Sequence, residues 1–167
     1  MITQAQTGSP VNIVTNLSNL TGVVNTLRPD LIGDPAILGS PNQWFNNTVC
    51  DPRIASGAGA CGPSSVFAYP VSPAGVFHFG NLGRNAISGP GFSNTDLSLI
   101  KNLSVGGGAR LQFRVEAFNV FNQANLGQPG RIAIVGSTAF GVITNTRFPT
   151  GDSGSARQIQ FAVKAMF

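Results

Sequence analysis

Charged residues and glutamate are scarce in this sequence. Charged side chains make up 10% of its 167 residues, and Glu116 is the only glutamate; typical soluble domains have roughly a quarter. Because glutamate is a good helix former, long amphipathic helices are not expected. The sequence also has no run of about 18 apolar residues, which excludes a transmembrane helix. Any insertion into a membrane would therefore have to use β-strands.

Clusters of basic residues are absent as well. The formal net charge is +4, but the ten basic residues are scattered singly from Arg28 to Lys164. Nucleic-acid and other polyanion partners usually require a basic patch or a basic helix. No nucleic-acid partner is expected.

Metal ligands are few. The chain has one histidine, His78, and two cysteines, Cys50 and Cys61, whose spacing does not match the short C-x-x-C of metal or redox sites. We therefore expect no metal and no cofactor. The flexible stretch between the cysteines favours a loop disulfide, which would indicate an oxidising, extracytoplasmic setting; two unpaired thiols are the alternative.

Two short motifs resemble catalytic or phosphate-binding sites without their context. Gly151-Asp-Ser-Gly154 is similar to the serine motif of chymotrypsin-like proteases, and His78, Asp96 and Ser153 follow the His, Asp, Ser order of that family. No Ala-Ala-His-Cys block surrounds His78, and the chain is too short for two six-stranded barrels. Gly106-Gly-Gly108 lacks the Lys-Ser/Thr of a phosphate loop and predicts a hairpin turn. No enzymatic activity is expected.

The amino-terminal part of the chain, residues 1–93, is rich in Gly, Pro, Asn and Ser. It contains one strand candidate, at residues 10–15, and we expect a short strand end followed by a very long surface loop. Compact soluble domains rarely contain such a long structureless stretch, whereas membrane barrels do carry long external loops. The first ten residues do not form a secretion signal, so we expect this chain to be a piece of a longer protein or a processed product.

The carboxy-terminal part, residues 94–167, alternates regularly between apolar and polar residues. It predicts strands at residues 95–103, 110–117 and 157–167, a tight turn at 104–109 and a long loop at 123–155. Within that loop, residues 132–135 and 140–144 are expected to form a hairpin. Because the connections alternate between short and long, the pattern is typical of a membrane barrel, with short turns on one side and long loops on the other.

The alternation assigns two faces to these strands. Charged side chains facing lipid would be costly, roughly 2 to 4 kcal/mol for a midplane arginine, so in a barrel the polar face must be the lumen. The residues expected to face the lumen are Arg110, Gln112, Arg114, Glu116, Gln158, Gln160 and Lys164. Those expected to face lipid are Leu97, Leu99, Leu111, Phe113, Val115, Phe161 and Val163.

An ordered series of motifs resembles the carboxy-terminal barrel strands of TonB-dependent outer-membrane receptors, especially the subgroup with an amino-terminal carboxypeptidase-regulatory-like domain. The matching blocks are Trp44-Phe-Asn46, Phe79-Gly-Asn-Leu-Gly-Arg-Asn85, Gly89-Pro-Gly-Phe92, Asp96-Leu-Ser-Leu-Ile-Lys-Asn102, Arg110-Leu-Gln-Phe-Arg-Val-Glu-Ala-Phe-Asn-Val-Phe-Asn122 and Arg157-Gln-Ile-Gln-Phe-Ala-Val-Lys164 with Phe167. Weaker matches are Gly8–Val14 and Arg28–Asp34.

The expected fold is all-β, an antiparallel meander of about three to five strands with long loops. The resemblance implies that it is an open fragment of a 22-stranded barrel in the cell outer membrane of a Gram-negative-type bacterium. Such receptors import ferric chelates, cobalamin or glycans. The implied partners are outer-membrane lipid, the remaining strands and plug of the parent protein, and TonB through its missing amino-terminal part. In addition, the barrel-assembly machinery would recognise a terminal signal made of Ile159, Phe161, Val163, Ala165 and Phe167.

The fragment lacks the plug and most strands, so it is not expected to transport alone. A different interpretation is a non-transporting, β-structured surface protein, similar to an adhesin, that uses the same loops for binding. The residues that contact a ligand are not readable from the sequence.

Overall fold

The chain folds entirely as β-structure in the part that the structure describes. The computed structural model describes residues 1–147 and 156–167. Every regular element there is a strand, so no helix of the described chain is long enough to cross a membrane. This confirms the expected all-β class. The chain divides into unit 1, which comprises Met1–Thr7, Gly91–Leu126 and Asn145–Phe167, and unit 2, which comprises Gly8–Pro90 and Gly127–Thr144.

Four strands are long or moderately long, and the others are short. In chain order the strands of the described residues are β1 (Ile2–Gln6), β2 (Pro10–Val11), β3 (Val14–Thr15), β4 (Asp30–Leu31), β5 (Ile37–Ser40), β6 (Gln43–Phe45), β7 (Val49–Cys50), β8 (Phe67–Ala68), β9 (Ile87–Ser88), β10 (Phe92–Gly106), β11 (Ala109–Phe118), β12 (Ile132–Ala133) and β13 (Gln158–Met166).

Unit 1 is built on a four-stranded antiparallel sheet of order β1-β10-β11-β13. β1 pairs with the first part of β10, from Ile2 opposite Asp96 to Gln6 opposite Phe92. β11 pairs with β10 on one side and with β13 on the other, where Val115 lies opposite Phe161. The sheet is therefore an up-and-down meander, within the three to five strands that were expected. It is not closed.

The hairpin expected around the three glycines is present. β10 and β11 are joined at Gly107 and Gly108, whose φ angles of 61° and 86° lie in the left-handed region. Glycine adopts this region without steric cost, and two successive residues with positive φ match the right-handed twist of a hairpin. A bulge between Ser104 and Gly106 precedes the turn.

Asn119 ends β11 at the opposite end of the sheet. Its φ of 50° turns the chain away from the strand, and its N–H donates to the Asp96 carboxylate at 3.0 Å. Its side chain also accepts from the N–H of Gln123 and donates to the carbonyl of the same residue, each at 2.9 Å. This turn is the physical reason why the alternation stops after Phe118.

Residues 8–90 do not form the structureless loop expected from their composition. Together with residues 127–144 they enclose a core in which Phe45, Phe67 and Phe140 pack edge to face, with ring centroids 5.2 to 6.0 Å apart. All three rings are fully buried or nearly so. Paired aromatic rings in this geometry add stabilisation beyond their buried area. The expectation of a structureless stretch is therefore wrong, because these aromatic residues, far apart in sequence, form one core.

The expectation that residues 10–15 form a strand of the barrel is also wrong. Those residues form β2, which pairs with β9, and β3, which pairs in parallel with β12. The strand that joins the long sheet is Ile2–Gln6. Asn12 and Ile13 separate these two short strands.

The hairpin expected within residues 123–155 does not form in the described part. Ile132 and Ala133 pair with Val14 and Thr15, and Phe140 bridges to Gly130 rather than to the 132–135 segment. The motif around Ser153 and the last part of this loop, residues 148–155, lie outside the described residues.

Cys50 and Cys61 form a disulfide within unit 2, as the sequence favoured. Asp51, next to Cys50, is buried and accepts from the Arg53 guanidinium at 2.6 and 2.9 Å. The hydrogen bonds from Arg53 hold the pKa of the Asp51 carboxyl below its usual value, although burial acts in the opposite direction. The disulfide and this ion pair fix the loop between β7 and β8.

Candidate functional sites: a two-faced sheet and an arginine pocket

The register of the long sheet places most of its apolar side chains on one face. Leu99, Val115 and Phe161 lie directly opposite one another across β10, β11 and β13, and directly paired residues share a face. The same alternation defines the apolar face of the three strands, which comprises Leu97, Leu99, Leu103, Leu111, Phe113, Val115, Ala117, Ile159, Phe161, Val163 and Ala165. All seven residues expected to face lipid belong to it.

The apolar face remains largely exposed. Phe161 is 75% exposed, Leu99 is 68% exposed and Val163 is 65% exposed. Soluble proteins rarely expose a contiguous apolar patch of this kind, and such patches mark contact with a partner or a membrane. The face therefore requires an apolar environment outside the chain.

The opposite face of the sheet carries the residues expected to face the lumen. Its polar and charged members on β11 and β13 are Arg110, Gln112, Arg114, Glu116, Gln158, Gln160 and Lys164. Neighbouring strands are linked by polar contacts on this face: Gln112 Nε2 donates to Asn102 Oδ1 at 2.9 Å, and Ser98 Oγ lies 3.5 Å from Glu116 Oε1. This face can be solvated by a water-filled interior.

The apparent break in alternation at Ile100 and Lys101 is not a break in the strand. β10 is continuous, so Ile100 lies opposite Arg114 on the polar face and Lys101 lies opposite Phe113 on the apolar face. A lysine on an apolar surface can extend its methylene stem along that surface and keep its ammonium group in water. The sequence had suggested an interruption because the apolar Ile100 lies on the polar face and the charged Lys101 lies on the apolar face.

The two edge strands of this sheet are β1 and β13. Each presents unpaired backbone groups on its outer side in the described chain, and such edges are templates for further strands. The residues of the expected assembly signal are brought together on β13: Ile159, Phe161, Val163 and Ala165 share the apolar face, and the fully exposed Phe167 follows the last residue of the strand.

Unit 2 contains a pocket that the sequence did not predict. Its volume is about 400 Å³, and the residues around it include Asn12, Thr26, Arg28, Phe79, Arg84 and Asn85. We call it the arginine pocket. The residues come from three segments that have no common periodicity, although the weak motif at 28–34 and the motif at 79–85 each contribute an arginine.

Close backbone packing positions the two arginine-bearing segments. A methyl group added at Gly80 would overlap the carbonyl oxygens of Arg28 and Pro29. The Leu82 N–H donates to the Pro29 carbonyl at 3.2 Å. The absence of a side chain at Gly80 therefore brings the 79–85 segment against residues 28–29.

Asp30 reinforces the same contact. Its carboxylate lies 2.7 Å from His78 Nε2 and accepts from the Asn81 N–H at 3.0 Å. The structure thus assigns His78 a carboxylate partner, Asp30, within unit 2. Asp96 instead accepts from the Asn119 N–H and the Asn94 side chain.

No group of three or more potential metal ligands occurs in residues 1–147 and 156–167.

The chain was compared with protein families, curated proteins and solved structures. The family model described as outer membrane beta barrel domain matches residues 1–160. No curated protein and no solved structure matches the chain.

We expect Gly80→Ala to destabilise unit 2 by about 1–3 kcal/mol, because the new methyl group must displace the carbonyls of Arg28 and Pro29. Denaturant unfolding of the chain in detergent micelles, followed by the fluorescence of Trp44, its only tryptophan, measures the change. Gly83→Ala is the matched control, since a methyl group there meets nothing within 4 Å. Equal stability of the two variants would contradict the close packing at Gly80.

Proposed function

Because the chain belongs to the outer membrane beta barrel domain family, and so is a membrane β-barrel protein of the bacterial outer membrane, we propose that it is the carboxy-terminal part of a TonB-dependent receptor. In this role it supplies closing strands of a 22-stranded barrel around a plug. The parent protein imports a nutrient such as a ferric chelate, cobalamin or a glycan. The chain is not competent to transport alone.

The two-faced sheet carries this proposal. Its apolar face suits the lipid with which an outer-membrane barrel associates, and its polar face suits a water-filled lumen. Four strands are too few to close when the smallest barrels have eight, so the edges of β1 and β13 need further strands. A larger parent barrel meets both requirements.

The connections of the sheet support a direction for the chain. All residues of unit 2 lie in the connections that leave β1 and β11 and enter β10 and β13, and in an antiparallel sheet these are the same end. At the other end, the only connection between strands in the described residues is the Gly107-Gly108 turn. Since outer-membrane barrels have short periplasmic turns and long external loops, we assign the turn at 104–109 to the periplasm and the two connections that contain Gly8–Pro90 and Gly127–Thr144 to the outside.

Two macromolecular partners follow from this role. TonB would contact the parent protein through the amino-terminal part that this chain lacks. The barrel-assembly machinery would bind the β13 edge by strand addition before the barrel closes, because backbone hydrogen bonds at a free edge allow another strand to pair.

The placement of the apolar face can be tested with two adjacent residues of β10. Leu99→Arg puts a charge on the apolar face, which costs roughly 2 to 4 kcal/mol near the bilayer midplane, so we expect much less folded protein in isolated outer membranes. Ser98→Arg, one residue away on the polar face and opposite Glu116, is expected to insert normally. Heat-modifiable gel mobility measures the folded fraction, and equal insertion of the two variants would refute the assignment of faces.

Deleting Phe167 from the parent protein is expected to lower its amount in the outer membrane several-fold, because the assembly machinery would lose the terminal aromatic of its signal. Phe121→Ala is the control: Phe121 is 76% exposed but lies outside β13. Surface labelling of intact cells provides the measurement. Normal surface levels of the Phe167 deletion would remove the assembly role.

Uptake distinguishes a receptor from a surface-binding protein. We expect cells with the parent protein to accumulate one of three radiolabelled ligands, a ferric chelate, cobalamin or an oligosaccharide, above the level of cells that lack it. The difference should disappear without TonB, since the outer membrane has no energy source of its own. Surface binding with no TonB-dependent accumulation would instead indicate the non-transporting, adhesin-like alternative.

A further inference from the structure

The arginine pocket has the size of a small-molecule site. Its volume of about 400 Å³ lies in the range of ligand pockets, roughly 300 to 1,000 Å³. All of the residues that line it belong to unit 2. The site is therefore formed by residues of unit 2 alone, and no residue of the four-stranded sheet lines it.

Two uncompensated positive charges line the arginine pocket. Neither the Arg28 nor the Arg84 guanidinium has a hydrogen-bond or ion-pair partner among the described residues, and no carboxylate lines the pocket. The carboxylate of Asp30, close to Arg28 in the chain, is already engaged by His78 and Asn81. Because guanidinium groups bind carboxylate or phosphate in a forked geometry, the pocket favours an anion.

The remaining lining favours a ligand that also carries hydroxyl groups. Asn12 lines the pocket, and its Oδ1 is buried without a partner in the described residues. A buried acceptor requires a donor, which an ionised carboxylate lacks and a hydroxyl group provides. Asn85 adds an amide, and the 72% exposed ring of Phe79 offers an apolar surface at the pocket.

We infer that the arginine pocket binds a hydroxylated organic anion, of which a monosaccharide with an acidic group is the simplest fit. The acidic group is held by Arg28 and Arg84, a hydroxyl group donates to Asn12 Oδ1, and the carbon face of the ring lies against Phe79. This inference deepens the proposed uptake role, on which it rests for the biological use of the site, by naming the ligand class.

Three probes separate charge from hydroxyl groups. Glucuronate has both, glucose has only the hydroxyl groups and acetate has only the charge. Titration calorimetry on the whole outer-membrane protein in detergent micelles should show glucuronate binding at least about tenfold tighter than either of the others, and weaker binding as salt increases. Glucose 6-phosphate tests whether a phosphate replaces the carboxylate. Equal affinities for glucuronate and acetate, or binding of neither glucuronate nor glucose 6-phosphate, would overturn the inference.

Variants of the two arginines test whether glucuronate binds in the arginine pocket. Arg84 is exposed, so Arg84→Gln removes the charge without disturbing the core and is expected to weaken glucuronate binding about tenfold or more. Arg28→Gln should have a similar effect. Arg131→Gln is the matched control, because Arg131 is an exposed arginine of unit 2 that does not line the pocket. Unchanged binding by both pocket variants would disprove the assignment.

The outcomes distinguish a failure of the pocket proposal from a failure of the uptake proposal. Binding in micelles that depends on Arg84, together with no TonB-dependent accumulation in cells, would refute the uptake role and support the pocket. Normal accumulation of another ligand by a protein that does not bind glucuronate or glucose 6-phosphate would refute the pocket and support the uptake role.

Discussion

The register between β10, β11 and β13 is the constraint on which the sheet depends. Side chains alternate with a period of two, so a slip of one residue would move Leu99, Val115 and Phe161 to the polar face and Arg114 and Glu116 to the apolar one. In water either face is tolerated to some degree, whereas in a bilayer the wrong register costs several kcal/mol for each charge. The membrane thus specifies the register more strongly than the backbone hydrogen bonds, which are the same in both registers.

Unit 2 is held together by a different set of interactions. Its strands have two to four residues and can contribute few backbone hydrogen bonds, so its order depends on the three-ring core of Phe45, Phe67 and Phe140, on the Cys50–Cys61 disulfide and on close backbone contacts. Gly8 and Gly130, like Gly80, each lie against a carbonyl oxygen that a methyl group would overlap. The high glycine content of the chain had indicated loops. At these positions, however, the absence of a side chain allows the segments to pack closely.

The parts of the fold that the sequence predicted are those specified by local pattern. Strands β10, β11 and β13, which have nine to 15 residues, follow from their alternation, and the turn follows from its three glycines. β1 has only one large apolar residue, Ile2, and forms because β10 offers an edge far along the chain. The core of unit 2 and the arginine pocket were missed for a similar reason: Arg28 and Arg84 are brought together by the backbone of Gly80, and no periodicity in the sequence reports such a contact.

The distribution of charge connects the two proposed roles of the chain. On the polar face of the sheet, the three cations Arg110, Arg114 and Lys164 outnumber the two carboxylates, Asp96 on β10 and Glu116 on β11. The arginine pocket is likewise lined by two cations and no carboxylate. In an outer-membrane barrel with this polar face toward the lumen, an anion selected outside the membrane would meet an interior wall of the same positive sign, and clefts of one charge sign raise the local concentration of an oppositely charged ligand. A cation would be disfavoured both in the arginine pocket and along the lumen wall. The two surfaces would therefore select ligands of the same charge sign.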